Sequence, residues 1–74
     1  MFTKLKQILI DEMEIEEDLI TPDAELMNDL GFNSLELADL VVLCEDRFGI
    51  EFEEEALPTL ITVGDVVAYL ENNG

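Results

Sequence analysis

The stretch from residue 33 to residue 49 constrains the fold more than any other part of this 74-residue chain. Its apolar residues recur at i, i+3, i+4, i+7 and i+11, the spacing that places side chains on one face of an α-helix. Asn33 followed by Glu36 has the form of a capping pair, and Gly49 is suited to end the helix in a left-handed conformation. The pattern predicts one long helix whose apolar stripe is formed by Leu37, Leu40, Val41, Cys44 and Phe48.

Helical patterns also occur on both sides of this segment. A first helix is expected over 3–13, with Thr3 as its N-cap. The acidic run 53–55 favours the amino end of a short helix, which Pro58 limits to one or two turns. Thr62 is placed to cap a last helix that runs to Asn72-Asn73-Gly74. The apolar residues of this last helix are Val63, Val66, Val67 and Leu70.

The segment 14–33 has no persistent period, and Thr21-Pro22-Asp23 and 30–33 are typical of turns. It nevertheless holds enough apolar residues to pack against the helices, so we expect an ordered loop with a short helical turn at 23–27. No part of the sequence shows the alternation of apolar and polar residues that is typical of a β-strand. The sequence therefore predicts a single all-α domain, a four-helix bundle with three longer helices, one short third helix and a long ordered loop between helices one and two. The apolar anchors of the loop are Ile15, Leu19, Ile20, Leu26, Met27, Leu30 and Phe32.

The charge of the chain excludes several classes of partner. Nineteen Asp and Glu residues stand against three Lys and Arg, which gives a formal net charge of −16. Nucleic acid and anionic lipid are bound through cations that neutralise phosphates, so neither is an expected partner. Mutual repulsion favours a monomer, and the strong negative field favours proteins with basic patches. A single cysteine, no signal peptide and no bilayer-spanning segment are what we expect of a cytoplasmic protein.

Catalytic and metal-binding patterns are absent from the sequence. There is no histidine, which removes the usual general base of serine and cysteine nucleophiles. We find no phosphate-binding glycine loop, no thiol pair for zinc and no calcium-loop spacing among the acidic clusters. The sequence therefore predicts neither catalysis by this chain nor a specific metal site.

Ser34 is the first residue of the predicted second helix and follows Leu30-Gly31-Phe32-Asn33. Serines are common at helix starts, so a residue with no chemical role is the alternative. A phosphodiester on this hydroxyl would lie beside unpaired amides and the positive end of the helix dipole. The position is suited to holding a phosphate.

The second helix carries more apolar surface than its core stripe requires. Leu35, Ala38 and Val42 form a second line about a hundred degrees or more from the first. Carboxylates are interleaved with this line, as expected of a docking surface for basic enzyme patches. The alternative is that Leu35 and Val42 bury the long loop. The carboxylates in question are Glu36, Asp39, Glu45 and Asp46.

The segment 29–37, with the sequence D-L-G-F-N-S-L-E-L, resembles the D-L-G-x-D-S-L attachment motif of acyl carrier proteins. Phe48, the acidic segment 53–55 and the segment 62–70 look like further parts of that family, so the resemblance covers essentially the whole chain. It implies an acyl-carrier-like bundle over residues 1–74 and a 4′-phosphopantetheine arm, drawn from coenzyme A, on Ser34. Such an arm carries acyl groups as thioesters between enzymes of fatty acid, polyketide or related acyl biosynthesis.

The resemblance also implies partners and a cargo site. The partners are a phosphopantetheinyl transferase and acyl-processing enzymes with basic docking patches, and Asn33 joins the docking set beside the second helix. In the family a growing chain can fold back between the helices, although the alternative role of the candidate residues is the core. The candidates for such a cleft are Leu26, Leu30, Leu37, Val41, Leu57, Leu60, Ile61 and Val66.

Three residues depart from the family pattern. Asn33 stands where the motif usually has aspartate, which keeps the capping ability but removes a charge that resembles part of the recognition surface. Arg47 lies where acidic residues are more usual, and Pro58 falls within the family's third helix. The departures at Arg47 and Pro58 favour a specialised carrier over the housekeeping fatty-acid one.

Two other functions stay open on the sequence alone. An aminoacyl or peptidyl carrier would use the same serine and arm for a different cargo. An unmodified acidic interaction module would instead use the line of Leu35, Ala38 and Val42 to bind a basic protein.

Overall fold

The computed structural model describes residues 1–73, and within that range every regular element is a helix. Three α-helices span Phe2–Met13 (α1), Ser34–Phe48 (α2) and Val63–Asn73 (α3). Two short 3-10 helices span Glu17–Leu19 (η1) and Glu54–Thr59 (η2). The predicted all-α fold with three longer helices is confirmed. The last residue of the predicted final helix, Gly74, lies outside the described residues.

Helix α1 begins earlier than its sequence suggests. The residue that precedes the helix is Met1, whose carbonyl accepts a hydrogen bond from the Leu5 amide, and no side chain caps this end. The predicted N-cap at Thr3 is therefore wrong. Phe2 is half-buried and packs against the core, which draws it into the first turn of the helix. The buried face of α1 consists of Leu5, Ile8 and Leu9.

Both predicted ends of α2 are confirmed. The Asn33 side-chain oxygen accepts from the Glu36 amide at 2.9 Å, and the Glu36 carboxylate accepts from the Asn33 amide at 3.3 Å. This capping box satisfies two amides at the helix start. Gly49 ends the helix with φ at +65°, a conformation that glycine adopts without steric cost. Leu40, Val41 and Cys44 are buried, whereas Leu37 and Phe48 are half-buried at the edge of the core.

The predicted short helix is η2, and it contains Pro58. The chain before it is fixed to α2 and α3. The Phe52 amide donates to the Glu45 carboxylate at 2.8 Å, and the Phe52 ring stacks on Tyr69 with 4.5 Å between ring centroids. The Tyr69 hydroxyl also accepts from the Glu53 amide. These contacts hold the amino end of η2 in place.

The long loop is ordered, but its helical turn is not where the sequence predicted it. The helical turn predicted at 23–27 is wrong because Glu25, between the turns at 22–23 and 26–29, forms an isolated antiparallel bridge with Thr62. The Leu26 amide donates to the Ile61 carbonyl and the Val63 amide to the Ala24 carbonyl, each at 2.9 Å. The helical turn of the loop is η1 instead. The loop contributes to the core through Ile20, Ala24, Leu26, Leu30 and Phe32.

A close backbone approach fastens the loop to the start of α3. The Gly64 amide donates to the Pro22 carbonyl at 2.8 Å. A Cβ atom on Gly64 would come within 2.9 Å of the same oxygen, so a side chain here would force the two segments apart. Glycine is therefore required at this position for packing, although the backbone is helical.

Reciprocal bonds cap α3 in the same way as α2. The Thr62 hydroxyl accepts from the Asp65 amide at 3.1 Å, which confirms the predicted N-cap. The Asp65 carboxylate accepts from the amides of Thr62 at 3.0 Å and Ile61 at 3.1 Å. These bonds, above all the one from the Thr62 amide, hold the pKa of Asp65 below its ordinary value. No helix of the described chain is both long and apolar enough to cross a bilayer.

Replacing Asp65 with Asn should destabilise the protein in a pH-dependent way. Because the folded state lowers the pKa of Asp65, the ionised carboxylate contributes stability that is present above the unfolded pKa, about 4. That contribution is lost as the pH falls through the lower folded pKa. Thermal melts should place Asp65→Asn a few degrees below wild type at neutral pH and bring the two together in strong acid. Asp46→Asn, an exposed control, should show no such convergence, and a pH-independent difference for Asp65→Asn would contradict the assignment.

Candidate functional site

Ser34 is exposed at the first position of α2. Its hydroxyl makes no hydrogen bond to any other residue of the described range 1–73. The capping box takes up the Glu36 amide, and the Leu37 amide donates to the Asn33 carbonyl. The amides of Ser34 and Leu35 have no acceptor among residues 1–73. A free hydroxyl thus lies beside two free amides at the positive end of a helix dipole, as an attached phosphate requires.

Ser34 is also the only serine in the sequence. The other side-chain hydroxyls belong to threonines and one tyrosine, and several already have structural partners. Thr62 caps α3, Thr59 donates to the Ala56 carbonyl, and Tyr69 binds the segment before η2. The serine count was a signal available in the sequence that strengthens the choice of residue.

A groove of about 470 Å³ begins at Ser34 and runs between the start of α2, the long loop and η2. Four of the predicted cleft residues line it, namely Leu37, Leu57, Leu60 and Ile61. The other walls come from Ala38 and Pro58 and, on the loop, from Glu25, Met27 and Asn28. The groove is mostly apolar and lies on the surface of the bundle.

The remaining four cleft candidates do not line this groove. Leu26, Leu30, Val41 and Val66 are buried in the core, each with at most 9% of its surface exposed. Leu26 and Leu30 belong to the long loop, Val41 to α2 and Val66 to α3, and all four are members of one buried cluster. The groove therefore stops above the core, and these four residues form part of the layer beneath it.

The second apolar line of α2 is open to solvent. Leu35 is 77% exposed and Val42 61% exposed, and Ala38 between them is also exposed. The alternative that Leu35 and Val42 bury the long loop is excluded by this exposure. Large apolar side chains that remain exposed along one helix face are typical of interaction surfaces.

The four carboxylates beside this line differ in their engagement. Glu36 belongs to the capping box, and Glu45 accepts from the Phe52 amide. Asp39 and Asp46 are exposed and have no hydrogen bond or ion pair to another described residue. Sequence reasoning did not detect the structural role of Glu45, since its acceptor bond depends on the path of a distant loop. Asp39 and Asp46 are thus the two carboxylates with free acceptor groups, and Asn33 is exposed at the end of the line.

Cys44 is fully buried in α2. Burial, with a further contribution from the neighbouring Glu45 carboxylate, raises the pKa of its thiol to about 12. The thiol is therefore protonated at neutral pH and packs as a small apolar side chain. Among the residues that the structure describes, no group of three or more acidic or cysteine side chains is arranged to hold a metal ion.

Comparison with known proteins decides the family. A family model described as phosphopantetheine attachment site matches residues 3–70. The chain belongs to the acyl carrier protein family. An acyl carrier protein of Helicobacter pylori strain 26695 is 34% identical over 73 residues, covering 99% of this chain and 94% of that protein. The acyl carrier proteins of strains G27 and HPAG1 are each 33% identical with the same coverage.

Acyl carrier proteins are carriers that interact with acyl-processing enzymes and are not catalysts themselves. Their phosphopantetheine-binding domain is the place of covalent 4′-phosphopantetheine attachment, which identifies the cofactor. The sequence resemblance to this family is therefore confirmed, and so is the expectation of a chain that is not an enzyme.

Replacement of Asn33 with aspartate should leave the stability of the protein nearly unchanged, whereas replacement with alanine should lower it. The Asn33 side chain satisfies the Glu36 amide, and aspartate can accept the same bond, whereas alanine cannot. Chemical denaturation should show Asn33→Ala destabilised by about 1 kcal/mol and Asn33→Asp within about 0.5 kcal/mol of wild type. Equal stability of Asn33→Ala and wild type would contradict the role of this cap in fixing the start of α2.

Proposed function

We propose that residues 1–74 form a single acyl carrier domain in which Ser34 bears the 4′-phosphopantetheine arm. The carrier serves fatty acid, polyketide or related acyl biosynthesis. The observation that carries the proposal is the free Ser34 hydroxyl at the front of α2, in the only serine of the chain. The exposure of this residue leaves space for a substituent, so the residues present fit the group.

The first turn of α2 supplies what the phosphodiester needs. The Ser34 oxygen forms the ester bond, and the amides of Ser34 and Leu35 are available to donate to the phosphate oxygens. The capping box holds these amides in position because it fixes the first turn through Asn33 and Glu36. When bound, the group supplies a thiol at the end of a flexible arm, which raises the effective concentration of its acyl cargo at a docked enzyme.

The groove that starts at Ser34 supports a role in shielding the cargo. Its volume of about 470 Å³ is of the size that binds small apolar ligands. Leu37, Leu57 and Leu60 form apolar walls of the groove, and the Glu25 carboxylate, which also lines it, disfavours a negatively charged cargo. These features favour an uncharged acyl chain.

The open line of Leu35, Ala38 and Val42 supports docking of the partner enzymes. Burial of these side chains on association is favourable, and the free carboxylates of Asp39 and Asp46 attract basic patches. We assign the transferase and the acyl-processing enzymes to this surface. In this proposal the carrier acts as a monomer, because its charge of −16 makes copies of the protein repel one another. We also propose that it acts in the cytoplasm.

The same open line is the observation that favours a second candidate, an unmodified acidic interaction module. If the protein is such a module, removal of the Ser34 hydroxyl should leave partner binding unchanged. Protein purified from its native host should then carry no arm. An aminoacyl or peptidyl carrier differs only in cargo. Loading of the arm-bearing protein by an amino-acid-adenylating enzyme, compared with loading by an acyl-ligating enzyme, separates the two carriers.

Removal of the Ser34 hydroxyl should abolish attachment of the arm. Apo protein is incubated with coenzyme A and a broad-specificity phosphopantetheinyl transferase, and intact masses are compared. Wild type should gain the mass of one arm, and Ser34→Ala should gain none because no ester can form. Thr21→Ala, which removes another exposed hydroxyl, should gain the arm as wild type does. Absence of an adduct on wild type with several transferases would overturn the proposal.

Replacing the apolar side chain of Leu35 with a polar one should weaken docking of the partner enzyme without affecting the stability of the free protein. Leu35→Gln removes about 1.5–3 kcal/mol of apolar burial available to a complex, so kcat/KM for arm transfer should fall about 10- to 150-fold. The melting temperature should be unchanged, because the side chain is 77% exposed in the free protein. Leu19→Gln, a matched change at an exposed leucine on η1, should leave kcat/KM as in wild type. Equal values of kcat/KM for the two variants would contradict the assignment of Leu35 to the docking surface.

A further inference from the structure

The groove beside Ser34 has a polar side on the long loop, where Glu25 and Asn28 line it. The Asn28 side-chain amide donates to the Glu25 carboxylate at 2.6 Å, so the two side chains form one polar unit, the Glu25–Asn28 pair. Apart from Ser34, the other lining residues are apolar. They are Met27, Leu37, Ala38, Leu57, Pro58, Leu60 and Ile61.

The backbone holds the Glu25–Asn28 pair in place. The Glu25 amide donates to the Asp29 carboxylate at 2.7 Å, and the Glu25 carbonyl accepts from the Asp29 amide at 2.8 Å and the Leu30 amide at 3.1 Å. The bridge to Thr62 fixes the same residue from the other side. The side chains of the pair bond only to each other within residues 1–73. One Glu25 carboxylate oxygen, the Asn28 side-chain oxygen and one N–H of Asn28 are therefore free to bind a ligand.

These free groups match the arm better than they match its cargo. A phosphopantetheine arm contains amide and hydroxyl groups, which donate and accept hydrogen bonds, separated by short apolar segments. A saturated acyl chain has no such groups along its length. Ser34 lines the same groove, so an arm attached there starts within it. Apolar walls with a few fixed polar groups are what orients a ligand of this mixed character.

We propose that the Glu25–Asn28 pair binds an amide of the unloaded arm, and so keeps the arm in the groove and its thiol shielded from reagents in solution. The inference rests on the proposed function, since it assumes an arm on Ser34. A thiol on an unrestrained arm is open to oxidation and to disulfide exchange, and the pair limits both reactions. A single hydrogen-bonded contact contributes little net free energy, so a docked enzyme can still withdraw the arm.

The test measures how fast the arm thiol reacts. Wild type, Glu25→Ala and Asn28→Ala are given the arm by a phosphopantetheinyl transferase, and alkylation by iodoacetamide is followed by intact mass. Cys44 does not interfere, because its thiol is buried and its pKa is raised to about 12. Both alanine variants should be alkylated about fivefold faster than wild type, because the arm loses its hydrogen-bonded contact.

Two further variants separate hydrogen bonding from general effects. Glu25→Gln removes the charge but keeps an acceptor, and Asn72→Ala removes an exposed amide on α3. Both should be alkylated within about twofold of the wild-type rate, since neither removes the contact. Thermal melts check that every variant is folded.

Nuclear magnetic resonance of the ¹⁵N-labelled protein reports on the contact itself. Attachment of the arm should shift the side-chain amide signals of Asn28 and leave those of Asn72 in place. Unchanged Asn28 signals, or equal alkylation rates for wild type and the two alanine variants, would overturn the role of the pair while leaving the carrier function intact. Equal acceleration in Glu25→Gln and Glu25→Ala would also overturn it, because charge alone would then explain the rates. A wild type that takes no arm would overturn the carrier function, and this inference with it.

Discussion

The pairing of residues 24–26 with residues 61–63 is the constraint on which the rest of the structure depends. Two backbone hydrogen bonds of 2.9 Å and the close approach of Gly64 to the Pro22 carbonyl fasten the long loop to the start of α3. The loop can then place its apolar residues in the core even though it forms little regular structure. The same pairing brings the loop and the end of η2 together beside α2, where they become two walls of the groove next to Ser34.

The carboxylates of this acidic protein perform two different tasks. Some accept hydrogen bonds from backbone amides and so replace regular structure at helix ends and turns. Glu36 does this for α2, Asp65 for α3, Glu45 for the segment before η2, and Asp29 for the Glu25 amide at 2.7 Å. Others, such as Asp39 and Asp46, have no described partner and face solvent along α2. The repulsion among 19 acidic residues is thus partly offset by structural bonds, while free carboxylates remain for basic partners.

Local signals in the sequence were sufficient to predict α2 and both of its ends, because the cap, the apolar stripe and the terminal glycine of this helix all lie within one short segment. They failed where a distant contact decides the conformation. The helical turn predicted at 23–27 is replaced by a backbone bridge between Glu25 and Thr62. The N-cap predicted at Thr3 is displaced by the packing of Phe2. Four of the eight residues predicted for the acyl cleft, namely Leu37, Leu57, Leu60 and Ile61, line the groove beside Ser34. The direction of Leu26 and Leu30 could not be read from periodicity, because an irregular loop has none.

The central claim is that the Ser34 hydroxyl carries the arm in the living cell. Its most direct test is peptide mapping by mass spectrometry of the protein purified from its native host. The account predicts that the peptide containing Ser34 carries the mass of phosphopantetheine or of an acylated form of it. A population in which that peptide is wholly unmodified, or in which the arm lies on another residue, would contradict the account.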